Sequence, residues 1–269
     1  MSEVRLEARL MRSAVILAGG FSRRLGFEKS LLLFDKRPLI CWTAERISMA
    51  ADEIVLVARD EPHARRLKDV ISAYCPDRVS SMKIVFTWDS VPGYGPVAGL
   101  YSGMMKAKGT LAFAAACDLP FLNHQVVDRL FSFVEAWENL SDKNNADGEA
   151  ENESSAVEAN ERANESTIRS ATGRGCKLQC AVPEHPGGLL EPLHCVYDRK
   201  AMQQACQDAM KMGEKRVHAP LQKLSAKRIP VELLQPLDAD LLTFFNLNTK
   251  KDLDRALALW PGFLARHHL

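Results

Sequence analysis

A regular alternation between short apolar runs and longer segments with helical spacing constrains the fold of this chain most strongly. The runs SAVILA, EIVLVA, KIVFTW and LAFAAAC, at residues 13–18, 53–58, 83–88 and 111–117, each have the length and apolar content of a buried strand. A segment with helical spacing follows each run. Strands separated by helices of this length pair in parallel, with right-handed connections. The sequence therefore predicts an α/β fold with a mostly parallel sheet.

Composition changes abruptly between residues 139 and 175, where Glu, Asn, Ser and Ala dominate and large apolar side chains are nearly absent. Such a segment buries too little apolar surface to offset the entropy of ordering it, so we predict a disordered or loosely helical insert. Both flanks have globular character, so the insert is predicted to interrupt a single domain at residues 1–269. A tolerated surface insertion is favoured over a docking or regulatory segment.

Helix-start signals and further strand-like runs occur on both sides of the insert. Pro38 suits the first position of a helix, and Asn123 is a typical helix cap. After the insert, CKLQCAVPE, EPLHCVYD and RIPVEL predict strands, and residues 199–211 predict a helix. The string FFNLNTKKDLDRALALW predicts a strand end and then a helix that Asn248 or Thr249 caps.

Charge and apolar content exclude several classes of protein. The 269 residues include 35 Lys and Arg against 34 Asp and Glu, so no overall charge favours a nucleic acid or a membrane surface as partner. No apolar run approaches the roughly 20 residues of a membrane span, and the N-terminus lacks the apolar core of a secretory signal. Seven scattered cysteines favour reduced thiols and hence the cytoplasm. Cys176 and Cys180 lack a second ligand pair, so ordinary buried or edge cysteines are favoured there over a metal site.

The string LAGGFSRRLGFEKS, residues 17–30, follows the first predicted strand and carries both glycines and cations. It is not a P-loop, because five residues separate Gly20 from Gly26 and two more precede Lys29. It is not a dinucleotide fingerprint, because its first two glycines are adjacent. Glycines let backbone N–H groups approach an anion, and open α/β sheets bind ligands at the carboxyl ends of their strands. We interpret the loop as a triphosphate site to which Arg24 and Lys29 add positive charge; a purely structural turn is the alternative.

Two aspartates follow other predicted strands. Asp89 begins DSVPGYGPVAGLYSG, where it can accept hydrogen bonds from guanine N–H groups or ribose hydroxyls; an ordinary strand–helix turn is the alternative. Asp118, in AAACDLPFLN, is predicted to lie at the carboxyl edge of the sheet beside the triphosphate loop. Mg²⁺ commonly takes one or two carboxylates together with substrate phosphates. Asp118 is therefore a candidate Mg²⁺ ligand, with a turn cap as the alternative.

Together these motifs closely resemble the molybdenum cofactor guanylyltransferases, within the nucleotidyltransferases of Rossmann-like fold. The family's LAGGxSxRMGxxK is present as LAGGFSRRLGFEK, with Leu25 in place of the usual Met, and its GPxAG and CDxPFL are present as GPVAG and CDLPFL. The later EPLHCVYDR, GEKRVHAPLQKL and FFNLNTKKDL also resemble the family, so the likeness covers residues 12–137 and 176–260. It implies a Rossmann-like, three-layer αβα domain of the nucleotide-diphospho-sugar-transferase type.

The resemblance implies GTP as substrate, Mg²⁺ as cofactor and a molybdopterin-type phosphate as acceptor. Molybdenum-insertion proteins and molybdoenzymes are the protein partners that it implies. It implies catalytic roles for Arg24, Lys29 and Asp118, with Asp118 as the metal ligand. The nucleotide-binding positions that it implies are Leu17, Ala18, Gly19, Gly20, Lys29, Asp89 and Asp118. An asparagine that the family may place after the second strand is not evident, since Ala58 and Arg59 stand there.

The implied reaction is in-line transfer of GMP to the acceptor's terminal phosphate, driven by positioning and charge neutralisation. The alternatives are a cytidylyltransferase of the same cofactor and a guanylyltransferase of another phosphorylated acceptor; LAGG rather than LAAG resembles the guanine-using members. A non-catalytic GTP-sensing module is disfavoured because Lys29 and Asp118 are both present. His194 is interpreted as a core or pocket-wall residue rather than a base. Asn246 is a candidate phosphate or pterin contact, whereas helix capping accounts for Asn248.

Overall fold

The computed structural model describes residues 10–22, 27–75, 82–91, 93–146 and 177–267. Its strands are β1 (Arg12–Leu17), β2 (Phe21–Ser22), β3 (Phe27–Glu28), β4 (Leu33–Phe34), β5 (Arg37–Pro38), β6 (Glu53–Ala58), β7 (Lys83–Trp88), β8 (Leu111–Ala116), β9 (Cys180–His185), β10 (Leu189–Leu190), β11 (His194–Asp198) and β12 (Ala226–Pro230). Its α-helices are α1 (Leu39–Ile47), α2 (Glu61–Tyr74), α3 (Pro96–Lys106), α4 (His124–Ala146), α5 (Arg199–Lys211), α6 (His218–Leu221) and α7 (Lys250–His267). Short 3-10 helices are formed by Lys29–Leu31, Val231–Leu234 and Leu242–Phe244.

One large sheet carries strands from both sides of the predicted insert. Its order is β10, β9, β11, β8, β1, β6, β7, and β12 pairs with β9. Strands β8, β1, β6 and β7 run parallel to one another, whereas β11 is antiparallel to β8 and to β9. The predicted mostly parallel α/β sheet is confirmed. Because β11 is antiparallel, its first residues lie at the edge where the parallel strands end.

Helices cover both faces of this sheet, as alternate side chains along β1 illustrate. Ala14 and Ile16 join a buried core with residues of α1, α2 and α4, whereas Val15 joins a second core with residues of α3 and α5. Successive side chains of a strand point to opposite faces, so a strand covered on both sides must be apolar throughout. The predicted three-layer αβα arrangement is therefore confirmed.

A third, aromatic-rich cluster attaches the C-terminal helix to the body of the domain. Phe34, Phe121 and Phe263 are fully buried around Trp260 of α7. The Trp260 indole Nε1 donates a 2.8 Å hydrogen bond to Asp35 Oδ2, which satisfies the buried N–H group. This packing fixes the segment that precedes α7 against the edge of the sheet, since the Leu247 amide donates to the Asp118 carbonyl at 3.0 Å.

Most predicted elements are present, and two local predictions are wrong. No strand end forms at the start of FFNLNTKKDL, because Leu242–Phe244 is a 3-10 helix whose turn supplies the local hydrogen bonds. The cap of α7 is Thr249, one of the two predicted residues, whose Oγ1 accepts from the Asp252 amide at 3.2 Å. The Asn248 side chain instead accepts from Lys29 Nζ, so its interpretation as a capping residue is wrong. Helix α4 begins after Asn123, whose Oδ1 accepts from the Gln125 amide, as predicted.

Helix α4 also extends into the region where the insert was predicted. It reaches Ala146, and residues 147–175 of the predicted insert lie outside the described residues. The insert and the single-domain organisation therefore stay predictions. Among the helices that the structure describes, every one is too short or too polar to cross a lipid bilayer.

Candidate active site

Three of the sequence motifs meet at one edge of the sheet, where the parallel strands end. Backbone hydrogen bonds connect their first residues: the Cys117 amide donates to the Leu17 carbonyl at 3.2 Å, and the Ala18 amide donates to the Val57 carbonyl at 2.8 Å. The Asp89 amide in turn donates to the Ala58 carbonyl at 3.2 Å. The sheet thus places the loops after β8, β1 and β7 side by side, as the predicted parallel topology requires.

Lys29 and Asp118 form a direct ion pair at this edge. The Lys29 Nζ donates to Asp118 Oδ2 at 2.6 Å and to Asn248 Oδ1 at 2.6 Å. The side chains are only 17% and 9% exposed, so the pair is well shielded from water. Asp118 Oδ1 is buried and has no hydrogen-bond partner among the described residues. An unsatisfied buried carboxylate oxygen is costly, and it is a site that a cation or a donor from a ligand would satisfy.

The two adjacent glycines of the first motif have different surroundings. A Cβ atom on Gly19 would lie 3.1 Å from the backbone nitrogen of Arg59 and 3.2 Å from its Cα, so Gly19 permits close packing on the end of β6. A Cβ atom on Gly20 would meet none of the described residues within 4 Å. The space beside Gly20 is therefore open to a ligand, whereas Gly19 has a packing role that the sequence did not indicate. The predicted residue Arg24 lies outside the described residues.

A network of charged side chains, which no sequence motif indicated, holds the segment that carries Lys29 in place. Glu28 Oε1 accepts from Arg59 Nη2 at 2.8 Å and from Arg66 Nη2 at 2.9 Å. Buried His63 lies 3.4 Å, through Nε2, from Ser30 Oγ, and burial lowers the pKa of His63. Glu28 and Ser30 flank Lys29, so these contacts fix the position from which the ammonium reaches Asp118. Arg59, which follows β6, thus takes part in holding this loop through its hydrogen bond to Glu28.

Asp89 lies half-buried against the GPVAG motif. A Cβ atom on Gly99 would lie 3.0 Å from Asp89 Oδ1 and 3.2 Å from a methyl group of Leu17, so a larger residue would press on this carboxylate. Burial raises the pKa of Asp89 to about 6. The described residues offer its carboxylate no hydrogen-bond donor or cation. A half-buried carboxylate without a donor from the described residues is suited to accept hydrogen bonds from the N–H or O–H groups of a ligand.

A cavity of about 340 Å³ opens on the other side of Asp118, next to β11. Its lining is formed by residues from the end of β8 and the loop after it, from β10, from the loop that leads to β11, from the start of β11, from α6 and from the segment before α7. These residues are Ala116, Asp118, Leu119, Leu189, Leu190, Glu191, Pro192, Leu193, His194, His218, Phe244 and Asn246. Sites of this size and mixed lining commonly bind small molecules. Asp118 is the one predicted catalytic or nucleotide-binding residue in this lining, and His194 and Asn246 were predicted as a pocket-wall residue and a candidate ligand contact.

His194 is a buried member of the cavity wall. Its Nε2 lies 3.2 Å from Thr243 Oγ1, and its ring packs edge-on against Phe113 and Phe244. Burial lowers the pKa of His194 to about 3, so the ring is neutral near pH 7. These contacts support the interpretation as a pocket-wall residue. Asn246 also lines the cavity, and its side chain donates to the Phe244 carbonyl at 3.0 Å.

Residues 214–216, within GEKRVHAPLQKL, lie near the GPVAG motif. The Lys215 Nζ is 5.5 Å from the centre of the Tyr94 ring, a cation–π distance, and the Lys215 carbonyl lies close to Gly95. The loop that contains Glu214 and Arg216 is thus adjacent to the glycine-rich turn before α3. It brings positive charge to the same edge of the sheet.

Comparison with known proteins agrees with this geometry. A family model described as the MobA-like NTP transferase domain matches residues 14–144. A probable molybdenum cofactor guanylyltransferase of Methanosarcina mazei is 28% identical, over 95% of this chain and 94% of its own. A molybdenum cofactor guanylyltransferase of Desulfosudis oleivorans is 25% identical, over 91% of this chain and 94% of its own. The crystal structure of molybdopterin-guanine dinucleotide biosynthesis protein A from Archaeoglobus fulgidus has a TM-score of 0.64 and 27% identity, covering 93% of this chain and 99% of that one.

The matched family segment contains the three motifs that meet at the sheet edge, including Lys29, Asp89 and Asp118. The similar proteins align along nearly their whole length, so the C-terminal half that forms the cavity is shared as well. The resemblance predicted from the motifs is thus confirmed: residues 14–144 match the MobA-like NTP transferase domain, and the chain is similar to molybdenum cofactor guanylyltransferases along nearly its whole length.

Proposed function

We propose that this enzyme transfers GMP from GTP to the terminal phosphate of a molybdopterin-type acceptor and releases pyrophosphate. The observation that carries the proposal is the position of the Lys29–Asp118 pair between a glycine loop and a separate cavity. A transferase of this kind must hold two anionic substrates on either side of a centre that neutralises their charge. The names of the similar proteins supply the chemical identity of the two substrates.

The residues at this edge fit a Mg²⁺ ion. Asp118 Oδ1 is buried without a hydrogen-bond partner among the described residues, so one anionic oxygen is available to a cation. The part of the chain that the structure describes contains no group of three or more potential metal-ligating side chains. Mg²⁺ suits such a site, because it keeps several waters and needs only one or two carboxylates beside substrate phosphates. When bound, it would neutralise phosphate charge at the reacting centre.

The nucleotide side of the site is formed by the loops after β1 and β7. We propose that the backbone near Leu17, Ala18 and Gly20 contacts the triphosphate, for which the open space beside Gly20 leaves room. Asp89 accepts from the guanine or the ribose, since its half-buried carboxylate has no donor of its own in the described structure. Lys29 binds the phosphates. Its ammonium must therefore either break its hydrogen bond to Asp118 or contact the phosphates and the Asp118 carboxylate at the same time.

In the proposed reaction, an oxygen of the acceptor's terminal phosphate forms a bond to the α-phosphorus of GTP. The bond from this phosphorus to the bridging oxygen of the β-phosphate breaks in line, and pyrophosphate leaves with the electron pair. Lys29 stabilises the charge on the phosphates, while Asp118 holds its position through the hydrogen bond between its carbonyl and the Leu247 amide. Preorganised charges of this kind supply much of the rate enhancement in transfer reactions. Arg24 is proposed to add to this positive charge.

The experiment that tests the function is pyrophosphate release with molybdopterin as acceptor, measured in parallel with GTP and with CTP. We expect Mg²⁺-dependent release with GTP, and a product in which GMP is attached to the acceptor, identified by mass spectrometry. Preferential turnover of CTP would identify the enzyme as a cytidylyltransferase. Binding of GTP without release of pyrophosphate, for molybdopterin and for other phosphorylated acceptors, would refute the proposed reaction.

A further inference from the structure

We propose that the cavity beside Asp118 binds the 2-amino-4-oxopyrimidine ring of a pterin, and that the Glu191 carboxylate accepts hydrogen bonds from the N–H groups of that ring. This inference rests on the proposed function, because it assigns the acceptor's heterocycle to a particular place. Glu191 then determines the specificity for the acceptor. It lies far from Lys29 and Asp89 along the chain.

The topology of the sheet places the cavity opposite the nucleotide loops. The strand order runs from β10, β9 and β11 through β8 to β1, β6 and β7. Asp118 follows the central strand β8, the loops with Gly20 and Asp89 follow β1 and β7 on one side, and the cavity lies against β11 on the other. A substrate in the cavity would therefore approach Asp118 from the side that GTP leaves open.

Glu191 is prepared to accept hydrogen bonds. Its Oε1 lies 3.1 Å from Nε2 of His185, the last residue of β9, and this contact orients the carboxylate. The rest of the chain that the structure describes donates no further hydrogen bond to this carboxylate. Burial raises the pKa of Glu191, and the nearby His185 and His218 offset part of this effect. A partly desolvated carboxylate gains most from paired N–H donors, such as the amino group and ring N–H of a 2-amino-4-oxopyrimidine.

The remaining cavity wall suits a flat heterocycle. Leu190 and Leu193 provide apolar surface, and the aromatic ring of Phe244 lies beside His194, with ring centres 4.7 Å apart. A neutral His194 adds no charge to the wall. Apolar and aromatic walls with a few fixed polar groups are typical of sites that bury a planar ligand and orient it by its edge.

Guanine presents the same arrangement of N–H donors as a pterin. The experiment must therefore distinguish binding of a pterin in the cavity from binding of the guanine of GTP. The Glu191→Gln variant keeps the size of the side chain and removes its charge. It is titrated with 6-hydroxymethylpterin, with lumazine, which has an oxo group in place of the 2-amino group, and with GTP. The two heterocycles are followed by their fluorescence, and GTP is followed by calorimetry.

The expected result is that wild-type protein binds the pterin more tightly than lumazine. Glu191→Gln should weaken pterin binding about tenfold or more, because a charge-assisted hydrogen bond is replaced by a weaker one, and should remove the preference over lumazine. GTP binding should be unchanged, which also shows that the variant is folded. Glu184→Gln is the matched control: Glu184 is equally exposed, 23% against 24%, but pairs with Arg228 and does not line the cavity.

Three results would overturn the inference. These are unchanged pterin binding in Glu191→Gln, an equal loss of GTP binding, which would assign the cavity to guanine, and failure of the wild-type protein to bind the pterin in preference to lumazine. The proposed function is tested separately. If wild-type enzyme transfers GMP while Glu191→Gln binds the pterin normally, only the role of Glu191 fails. If wild-type enzyme binds the pterin and never transfers GMP, the transferase proposal fails.

Discussion

The two sides of Asp118 are built in different ways. On the side of β1, β6 and β7, the site consists of loops that directly follow parallel strands, with glycines at the points of close approach. On the side of β11, it consists of side chains from strands, a short helix and the segment before α7. The first side relies on backbone geometry, and the second on side chains that tertiary folding brings together.

This difference has a consequence for substitutions. Where backbone geometry forms the site, adding a single methyl group can disturb both packing and binding, since Gly19 and Gly99 have neighbours at 3.0–3.2 Å. Where side chains form the site, conservative substitutions should change ligand preference while leaving the fold intact. The following predictions test this contrast, starting with Asp118, which both sides share.

Asp118→Asn should have the largest effect, because it removes the negative charge of the carboxylate that lies between the two sides and pairs with Lys29. Mg²⁺-dependent turnover should fall by about 10³-fold or more, by analogy with the loss of a preorganised electrostatic group. Pyrophosphate release measures the rate, and thermal unfolding shows whether the fold is kept. Asp208→Asn, on the exposed surface of α5, is the control and should behave as wild type. Mg²⁺-dependent transfer of GMP at an unchanged rate would exclude Asp118 as the metal ligand.

Lys29→Ala should lower turnover by about 10²-fold, because it removes one cation from the phosphates and leaves Asp118 without its partner. The effect should be seen in GTP-dependent pyrophosphate release. Lys106→Ala, at the exposed end of α3, controls for the loss of one positive charge. Wild-type activity in folded Lys29→Ala protein would contradict both the role of Lys29 and the assignment of the loop to the nucleotide.

Gly19→Ala and Gly20→Ala separate packing from binding within one motif. Gly19→Ala should lower the free energy of unfolding by roughly 1–3 kcal/mol, because the backbone of Arg59 must move to admit a methyl group. Gly20→Ala should leave stability nearly unchanged but weaken GTP binding, because its methyl group would extend into open space. Urea denaturation and GTP calorimetry measure the two effects. The same stability loss in both variants would show that the open space beside Gly20 has no special role.

Asp89→Asn should have a small effect on stability, and this effect should be a gain. Because burial raises the pKa of Asp89 to about 6, ionisation opposes folding, so the free energy of unfolding falls as the pH rises from about 4 to 6 and is constant above. Asp89→Asn should therefore be more stable by about 1 kcal/mol at pH 7.5, after discounting for solvent screening, and should show no gain at pH 4. GTP binding should weaken at pH 7.5. A pH-independent difference in urea denaturation would contradict the role of ionisation.

The sequence predicted well the central sheet and the meeting of the glycine and aspartate motifs at its edge, because both depend on local patterns. Apolar runs and helical spacing define strands and helices within a few residues, and parallel strands must end at a common edge, so Lys29, Asp89 and Asp118 were found as candidates. The sequence did not predict the environment of Lys29. Its contacts with Asp118 and Asn248 span 89 and 219 positions. Asn248 was assigned to helix capping because local spacing alone favoured it, whereas Thr249 takes that place.

By itself, then, the sequence determined the α/β class, the order of the strands along the chain and the glycine and aspartate motifs, since each is written in consecutive residues. Only the tertiary structure decided what faces Asp118 from the other side. Strand β11 is antiparallel to β8, and this reversal brings Glu191 and His194 to the edge where the parallel strands end. No short-range pattern encodes that reversal, because it depends on which strands pair across a gap of more than sixty residues that includes the predicted insert.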